Sequence, residues 1–538
     1  MADPDSSQDW GRLLLCGGTD WARLGRKNAK ADEEHPDLAE PHILRSLANV
    51  KIISCHTSAH SCHSVAIDID GTAWLFGRNG SGCLGEPSTT EDISEHSPKR
   101  LTPAQLGAAP GDKFVHAACG RHHTILVSSS GQIWTAGINT VGQCGHPVCL
   151  EVPTFKAVDV ISESGVKERV VQATAGISFS AVITASGKVF TFGSGEKGQL
   201  GIGKTGERII TGGKIVFEVV TEPIEIGGFE NKVVQISAGQ QHCIALDSAG
   251  LVYVWGYGGY CRLGLSNQVD ELRPKLVPNF AGPNEHLRAT IVCAGPSNSV
   301  VVDRQGMYWM AGKWKNTGEG SSGSPYSSYR YMVDIQACKM SFVACGGVTH
   351  WAITDDDEVE GQVMTVAWGQ NAANCKLNIP FRVATTNGRT DELGLGPDEP
   401  KSATKPTRHI PLSGVDVFEI AAGQNHTLFL VRPNGEKYSD LPRHPVDVNP
   451  PETCVECGVD HGDDGPEVLE CEKCDAPYHL SCLTPPLESV PDGEWFCTDC
   501  VENPGASVGA AVNKLQAKSL KRKGEPPSSP GQQKKKRQ

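Results

Sequence analysis

No apolar run in this 538-residue chain reaches the roughly 18 residues that a bilayer-spanning helix requires. The first residues, Met1 to Trp10, are polar and acidic, where a signal peptide would carry an apolar core. These absences lead us to expect a soluble intracellular protein with no membrane partner. Thiols stay reduced in that setting, so the 20 cysteines read as core residues or metal ligands rather than disulfides. The chain also lacks a Gly-x-x-x-x-Gly-Lys-Ser/Thr phosphate loop and a Gly-x-Ser-x-Gly nucleophile elbow. No catalytic constellation stands out, and the expectation is a protein that is not an enzyme. Nucleotide exchange needs no acid or base, so missing motifs do not exclude it.

What is present is uneven in charge. The formal net charge of −13 conceals an acidic segment beside a basic one. Glu452 to Cys500 holds 13 acidic residues against Lys473 alone, whereas Val501 to Gln538 holds nine basic residues against Glu502 and Glu525. Acidic modules suit basic ligands; basic tails suit nucleic acid, import receptors or acidic surfaces.

Glycine is abundant, at 60 residues, and dense turns point to an all-β architecture. The glycines are periodic. A Gly ending a strand is followed eight residues later by another: Gly17/Gly25, Gly77/Gly85, Gly137/Gly145, Gly193/Gly201, Gly256/Gly264 and Gly312/Gly320. Upstream of most units an apolar strand ends in Ala/Cys-Gly, as at Gly120, Gly176, Gly239, Gly295, Gly346 and Gly423. Three residues later stands His123, His242, Asn298, Thr349 or His426, with Phe179 breaking the polar pattern. A repeat of about 50–60 residues suits a four-stranded propeller blade, and radial stacking buries faces that a lone blade would expose. Val417 to Val431 lacks the last part of a unit and Leu13 to Gly25 lacks the first, so the two ends are expected to close one blade. The repeated Gly, His and Trp read as blade-building residues. The cluster Cys55, His56, His60, Cys62 and His63 reads as packing.

These repeats resemble the regulator of chromosome condensation repeat family over roughly Arg12 to Arg432. The resemblance is strongest to its second paralogue, through Leu13 to Trp21, Ala118 to Thr124 and Trp255 to Gly264. It implies a seven-bladed β-propeller that acts as a protein-binding platform, because members bind chromatin or small GTPases. Three places depart from the pattern: His60 stands where Gly is expected, Thr354 to Gln362 is an acidic insertion, and Asn371 to Arg389 lengthens a loop.

Beyond a proline-rich segment come Cys454-x2-Cys457, thirteen residues, Cys471-x2-Cys474, four residues, His479-x2-Cys482, fourteen residues and Cys497-x2-Cys500. Eight soft ligands in that order are expected to hold two tetrahedral zinc ions. A segment of about 50 residues buries too little apolar surface to fold alone, and zinc supplies the deficit. His is the fifth ligand, whereas a RING finger usually has a His at the fourth position. With Tyr478 and Trp495, the segment resembles the PHD finger family. That resemblance implies one zinc on Cys454, Cys457, His479 and Cys482, and the other on Cys471, Cys474, Cys497 and Cys500. It also implies binding of the histone H3 N-terminus as an added strand along Glu467, Val468, Leu469, Glu470 and Cys471. Thr453 and Pro477 stand where a trimethyl-lysine cage would need aromatic walls. Glu472 and Asp475 match positions that grip the tail's arginine at position two. Glu452 matches a carboxylate that meets unmodified lysine four, with Asp463 and Asp464 assisting, and Pro491, Asp492 and Gly493 match the site of the tail amine. The same carboxylates also read as a solvated acidic face.

The tail is polar and expected to be disordered. Lys521, Arg522, Lys523 and Lys534, Lys535, Lys536, Arg537 are spaced like a bipartite nuclear localisation signal; contact with DNA phosphates is the other reading. The expected organisation is a disordered start (1–10), a propeller (11–432), a linker (433–451), a finger (452–502) and a basic tail (503–538). The expected function is a nuclear chromatin adaptor, with regulation of a small GTPase as the rival.

Overall fold

The computed structural model describes residues 9–22, 24, 37–87, 93–313, 325–356, 359, 361–370, 391–397, 402–459, 467–491, 493–508, 512–513 and 515–516. It divides into two compact units, Met1–Ile43 with Lys51–Pro442, and Leu44–Val50 with Arg443–Gln538.

The first unit is a seven-bladed β-propeller. Six blades are antiparallel four-stranded sheets with strands in chain order. One, for example, runs Phe114–Cys119, His123–Ser128, Ile133–Ile138 and Glu151–Val158. The seventh joins the chain ends: Val417–Ala422 pairs with His426–Val431, which pairs with Arg12–Gly17, which pairs with Leu38–Leu44. Apolar layers lie between neighbouring blades. Val65, Leu75 and Phe114 with Trp134 fill one such layer, and Leu246, Val254, Phe280 and Tyr329 another. Second strands such as His123–Ser128 are buried along their whole length, as a strand covered on both faces must be.

The two repeat signals are halves of one device. In all seven blades the residue that opens the second strand faces the repeat glycine that ends the third: His63↔Gly77, His123↔Gly137, Phe179↔Gly193, His242↔Gly256, Asn298↔Gly312, Thr349↔Gly369 and His426↔Gly17. At Gly137 φ is +119°, and a Cβ would lie 2.3 Å from the His122 carbonyl oxygen; no other residue fits. The polar side chain then reaches the next blade. His63 Nε2 lies 2.8 Å from Thr124 Oγ1, His123 Nε2 3.0 Å from Ser180 Oγ, His242 Nε2 3.1 Å from Ser299 Oγ, and His426 Nε2 2.7 Å from Ser64 Oγ. The histidines therefore lace blades together. Burial pushes His123 and His426 down to about 3, so they are neutral partners at physiological pH.

The departures from the repeat have local causes. His56 and His63, which end and open their strands, are separated by a six-residue loop that bears His60, whereas Cys119 and His123 are separated by a three-residue turn. His60 is therefore an extra loop residue rather than a replaced Gly. It is 2% exposed, and its Nε2 lies 2.9 Å from the Ala175 carbonyl oxygen. The surrounding Cys and His residues diverge: His56 rests on the His116 ring, and the Cys55 N–H donates to Glu419. The insertion at Thr354 to Gln362 is described only in part, and Asn371 to Arg389 lies outside the described residues.

The expected linker is packed in its first half, with Tyr438 and Leu441 buried in the propeller unit. In the second unit Val508, Val512 and Leu515 join the finger's core. Val508, Val512 and Leu515 of the basic tail are thus packed. The polar composition obscured three apolar residues at i, i+4 and i+7, a spacing that places them on one face of a helical path.

Candidate functional site

The eight expected ligands gather into two sets, Cys454, Cys457, His479 and Cys482, and Cys471, Cys474, Cys497 and Cys500. Within each set the ligand atoms all lie within 4.8 Å of one another. Cys457 Sγ is 3.3 Å from His479 Nδ1, and Cys474 Sγ is 3.9 Å from Cys497 Sγ. A tetrahedral zinc with bonds of about 2.0–2.3 Å needs ligand–ligand edges of about 3.5–3.8 Å, so the residues present fit the metal. Main-chain donors prepare the sulfurs. The His479 N–H points at Cys454 Sγ at 3.4 Å, and the Cys497 N–H at Cys471 Sγ at 3.3 Å. Burial pushes the Cys454 thiol up, but N–H groups of Cys457 and His479 outweigh it and leave the thiol below its ordinary value. Tyr478 and Trp495 pack edge to face, with centroids 5.3 Å apart, as the small core between the sets.

The expected receiving strand is present as Val468–Glu470, paired on one edge with Pro477–His479. Among the described residues its other edge pairs with no strand. Leu469 points inward, while Glu467, Val468 and Glu470 are exposed. Glu452 is exposed, Pro491 half-buried, and Gly493 turns with φ +93° in open space. Asp463, Asp464, Asp492 and the basic clusters from Lys521 to Arg537 lie outside the described residues. Thr453 and Pro477, at the cage positions, are both half-buried.

Glu472 and Asp475, the two carboxylates expected to grip an arginine, are engaged by the chain itself. Arg45 makes a bidentate pair with Asp475, its two terminal nitrogens 2.6 and 2.8 Å from the carboxylate oxygens. Its Nε donates to the Pro445 carbonyl at 2.8 Å. Arg443 is ion-paired with Glu472. Lys473, between two cysteine ligands, is fully buried; its Nζ donates to the Ser46 carbonyl at 3.0 Å and to Asn49 Oδ1 at 3.2 Å. The Asn49 amide donates to the Cys500 carbonyl at 2.6 Å. Burial pushes Lys473 below its ordinary value, against the pull of the surrounding cysteine sulfurs.

Sequence reasoning missed Arg45, Asn49, Arg443 and the buried role of Lys473. One signal was available. Arg45 opens a short 3-10 turn after a blade's outer strand, and four other blades have the same turn opening with Pro103, Pro278, Val333 or Ile410. A charged residue occupies that position in one repeat of five. Val333 and Ile410 are 59% and 67% exposed there, whereas Arg45 is 5% exposed.

A second feature stands on the propeller. Between the third and fourth strands of one blade, Arg208–Ile210 and Lys214–Val216 form a separate two-stranded hairpin. It carries Ile209, Ile210 and Ile215, exposed by 73%, 43% and 49%.

Residues 12–429 match the family described as the RCC1-like domain, and residues 454–500 match the PHD-finger family. The protein RCC2 homologue of Xenopus laevis is 29% identical over 467 residues, covering 83% of this chain and 82% of the relative. Human RCC2 is 27% identical over 467 residues, with 83% and 81% covered. The structure of Prp20p from Saccharomyces cerevisiae, described with its binding properties to Gsp1p and histones, superposes with a TM-score of 0.60 at 18% identity, covering 81% of this chain and 94% of that one. With a propeller spanning 12–429 and eight ligands gathered in the finger, the chain belongs to the RCC1-like domain family and carries a PHD zinc finger.

Proposed function

We propose that this protein is a nuclear chromatin adaptor, not an enzyme, in which a finger holding two zinc ions binds the histone H3 tail and the propeller presents partner surfaces. The observation that carries this reading is the unpaired edge of Val468–Glu470, next to Glu472 and Asp475. A tail adds to that edge as a strand. The carboxylates hold its arginine, and Glu452, with Asp463 and Asp464, faces lysine four. Pro491, Asp492 and Gly493 receive the amine. Thr453 and Pro477 in place of aromatic walls favour unmodified lysine four. Titration of the protein with an H3 N-terminal peptide tests this. Glu472→Ala and Asp475→Ala are expected to weaken binding severalfold, and trimethylation of lysine four to weaken it further. Equal affinity for both variants and wild type refutes the arginine site.

The basic clusters Lys521, Arg522, Lys523 and Lys534, Lys535, Lys536, Arg537 support recognition by a nuclear import receptor and contact with nucleosomal DNA. A reporter fused to Val501–Gln538 that stays cytoplasmic removes the import claim. A second reading, regulation of a small GTPase, is favoured by the exposed isoleucine hairpin, an apolar protrusion of the kind that engages a protein partner. Accelerated nucleotide release by the protein, lost in Ile209→Asp, supports it; no acceleration with any GTPase tried counts against it.

A further inference from the structure

We infer that the finger's arginine site is filled in cis: Arg45 occupies the place of a tail arginine on Asp475, and Arg443 caps Glu472. A histone tail therefore binds only by displacing them. The inference rests on the histone-tail reading above and adds its regulation.

Three observations carry it, all within the unit formed by Leu44–Val50 and Arg443–Gln538. The first is geometry. A planar guanidinium on both oxygens of one carboxylate is the arrangement by which carboxylates recognise arginine. Arg45 adopts it at 2.6 and 2.8 Å and satisfies its Nε on the Pro445 carbonyl. Asp475 is 31% exposed in its side chain against 7% for Arg45, so the pocket is open to solvent while its occupant is not. The second is the repeat. The position of Arg45 is apolar in the four other turns and solvent-exposed in three of them. Nothing in blade construction demands an arginine there. The third is reinforcement. Lys473 and Asn49 fasten the same short segment to the finger through the Ser46 and Cys500 carbonyls, which holds Arg45 at high effective concentration.

An incoming tail must therefore break a charge-assisted bidentate pair before making an equivalent one. The exchange sets the new pair at Asp475 against the one lost to Arg45, so the tail gains less there in the wild type than it would at an open site. Removing Arg45 frees the site and lets the arginine contact add to that affinity.

The test is a fluorescence-anisotropy titration of the full-length chain with unmodified H3 N-terminal peptide. Arg45→Ala is expected to bind about tenfold tighter than wild type, which is about 1.4 kcal/mol, and Arg45→Ala with Arg443→Ala tighter still. A peptide whose arginine at position two is replaced by alanine is expected to gain nothing from Arg45→Ala. A second measurement needs no variant: the Arg45 Nε–H resonance of the wild-type protein shifts as peptide is added. Equal peptide affinity for wild type and Arg45→Ala, with an unmoved Arg45 resonance, overturns cis occupancy and leaves histone binding intact. Absence of binding by wild type and by both variants overturns the histone reading, and this inference with it.

Discussion

Deleting the first 25 residues removes the third strand of the blade that closes the ring. Arg12–Gly17 pairs with His426–Val431 over six residue pairs and with Leu38–Leu44 on its other side. The deletion also exposes a core. Leu13, Leu14, Leu15, Trp21 and Leu24 are each at most 7% exposed, and the Trp21 ring packs against Phe76 and His426. At about 1.5–3 kcal/mol for each buried side chain, their loss costs about 8–15 kcal/mol. A folded domain has about 5–15 kcal/mol in total, so the truncated ring has no margin left. Thermal unfolding of the full-length and truncated chains by circular dichroism is the assay. The truncated chain is expected to lose the cooperative propeller transition, or to melt far below the full-length protein. Leu14→Ala, with one fully buried side chain shortened, is the graded control and should cost about 2–5 kcal/mol. A truncated chain melting within about 1 °C of the intact one, less than about 1 kcal/mol would produce, refutes the closure.

Acid should destabilise the propeller through its buried histidines. Burial holds His60, His116 and His409 at about 4, and His123 and His426 at about 3. An unfolded histidine takes its proton near pH 6.5. Their contribution is present above about pH 6.5 and is lost as pH falls through 6.5 towards 4, by up to about 1.4 kcal/mol per pH unit for each group. Glu419, pushed up to about 7 by burial, acts oppositely: its protonated form is favoured on folding, so its contribution falls as pH rises from about 4.5 to 7. Five histidines outweigh it, and urea midpoints should decline from pH 6.5 to 4.5; a flat profile contradicts neutral buried imidazoles. Zinc removal by a chelator should unfold the finger, since each structural site contributes about 10–16 kcal/mol. Elemental analysis should give two zinc per chain for wild type and fewer for Cys474→Ser, with equal zinc in both counting against that ligand set.

Local pattern alone carried the fold class and the metal centre. A seven-bladed propeller is legible because each blade repeats one solution: a glycine without a Cβ where the second strand presses close, and opposite it a polar residue in every blade but the one with Phe179. Eight Cys and His at zinc spacing are equally legible, since metal coordination dictates ligand type and spacing before any tertiary contact forms. Pattern did not show that His60 sits in a longer loop, because a short insertion shifts spacing without changing composition. Nor did it show that Val508, Val512 and Leu515 complete the finger's core, because three apolar residues in a polar tail bury only against a partner surface.

What engages Glu472 and Asp475 was decided by tertiary structure. Glu472 and Asp475 could be placed around Cys474 by counting along the chain, and their negative charge follows from residue type. Whether that charge is free depends on what folds against it. Arg45 is 430 residues away in sequence from Asp475, and ion pairing at that separation depends on the path of the chain through the whole fold. The amino-acid sequence by itself determined the repeating blade, the eight metal-ligand residues and the acidity of the finger, while the division of the ligands into two sets came from the resemblance to the PHD finger family. Only the folded unit brought Arg45 and Arg443 onto those acids, because a guanidinium and a carboxylate attract any opposite charge and only geometry selects which one they meet.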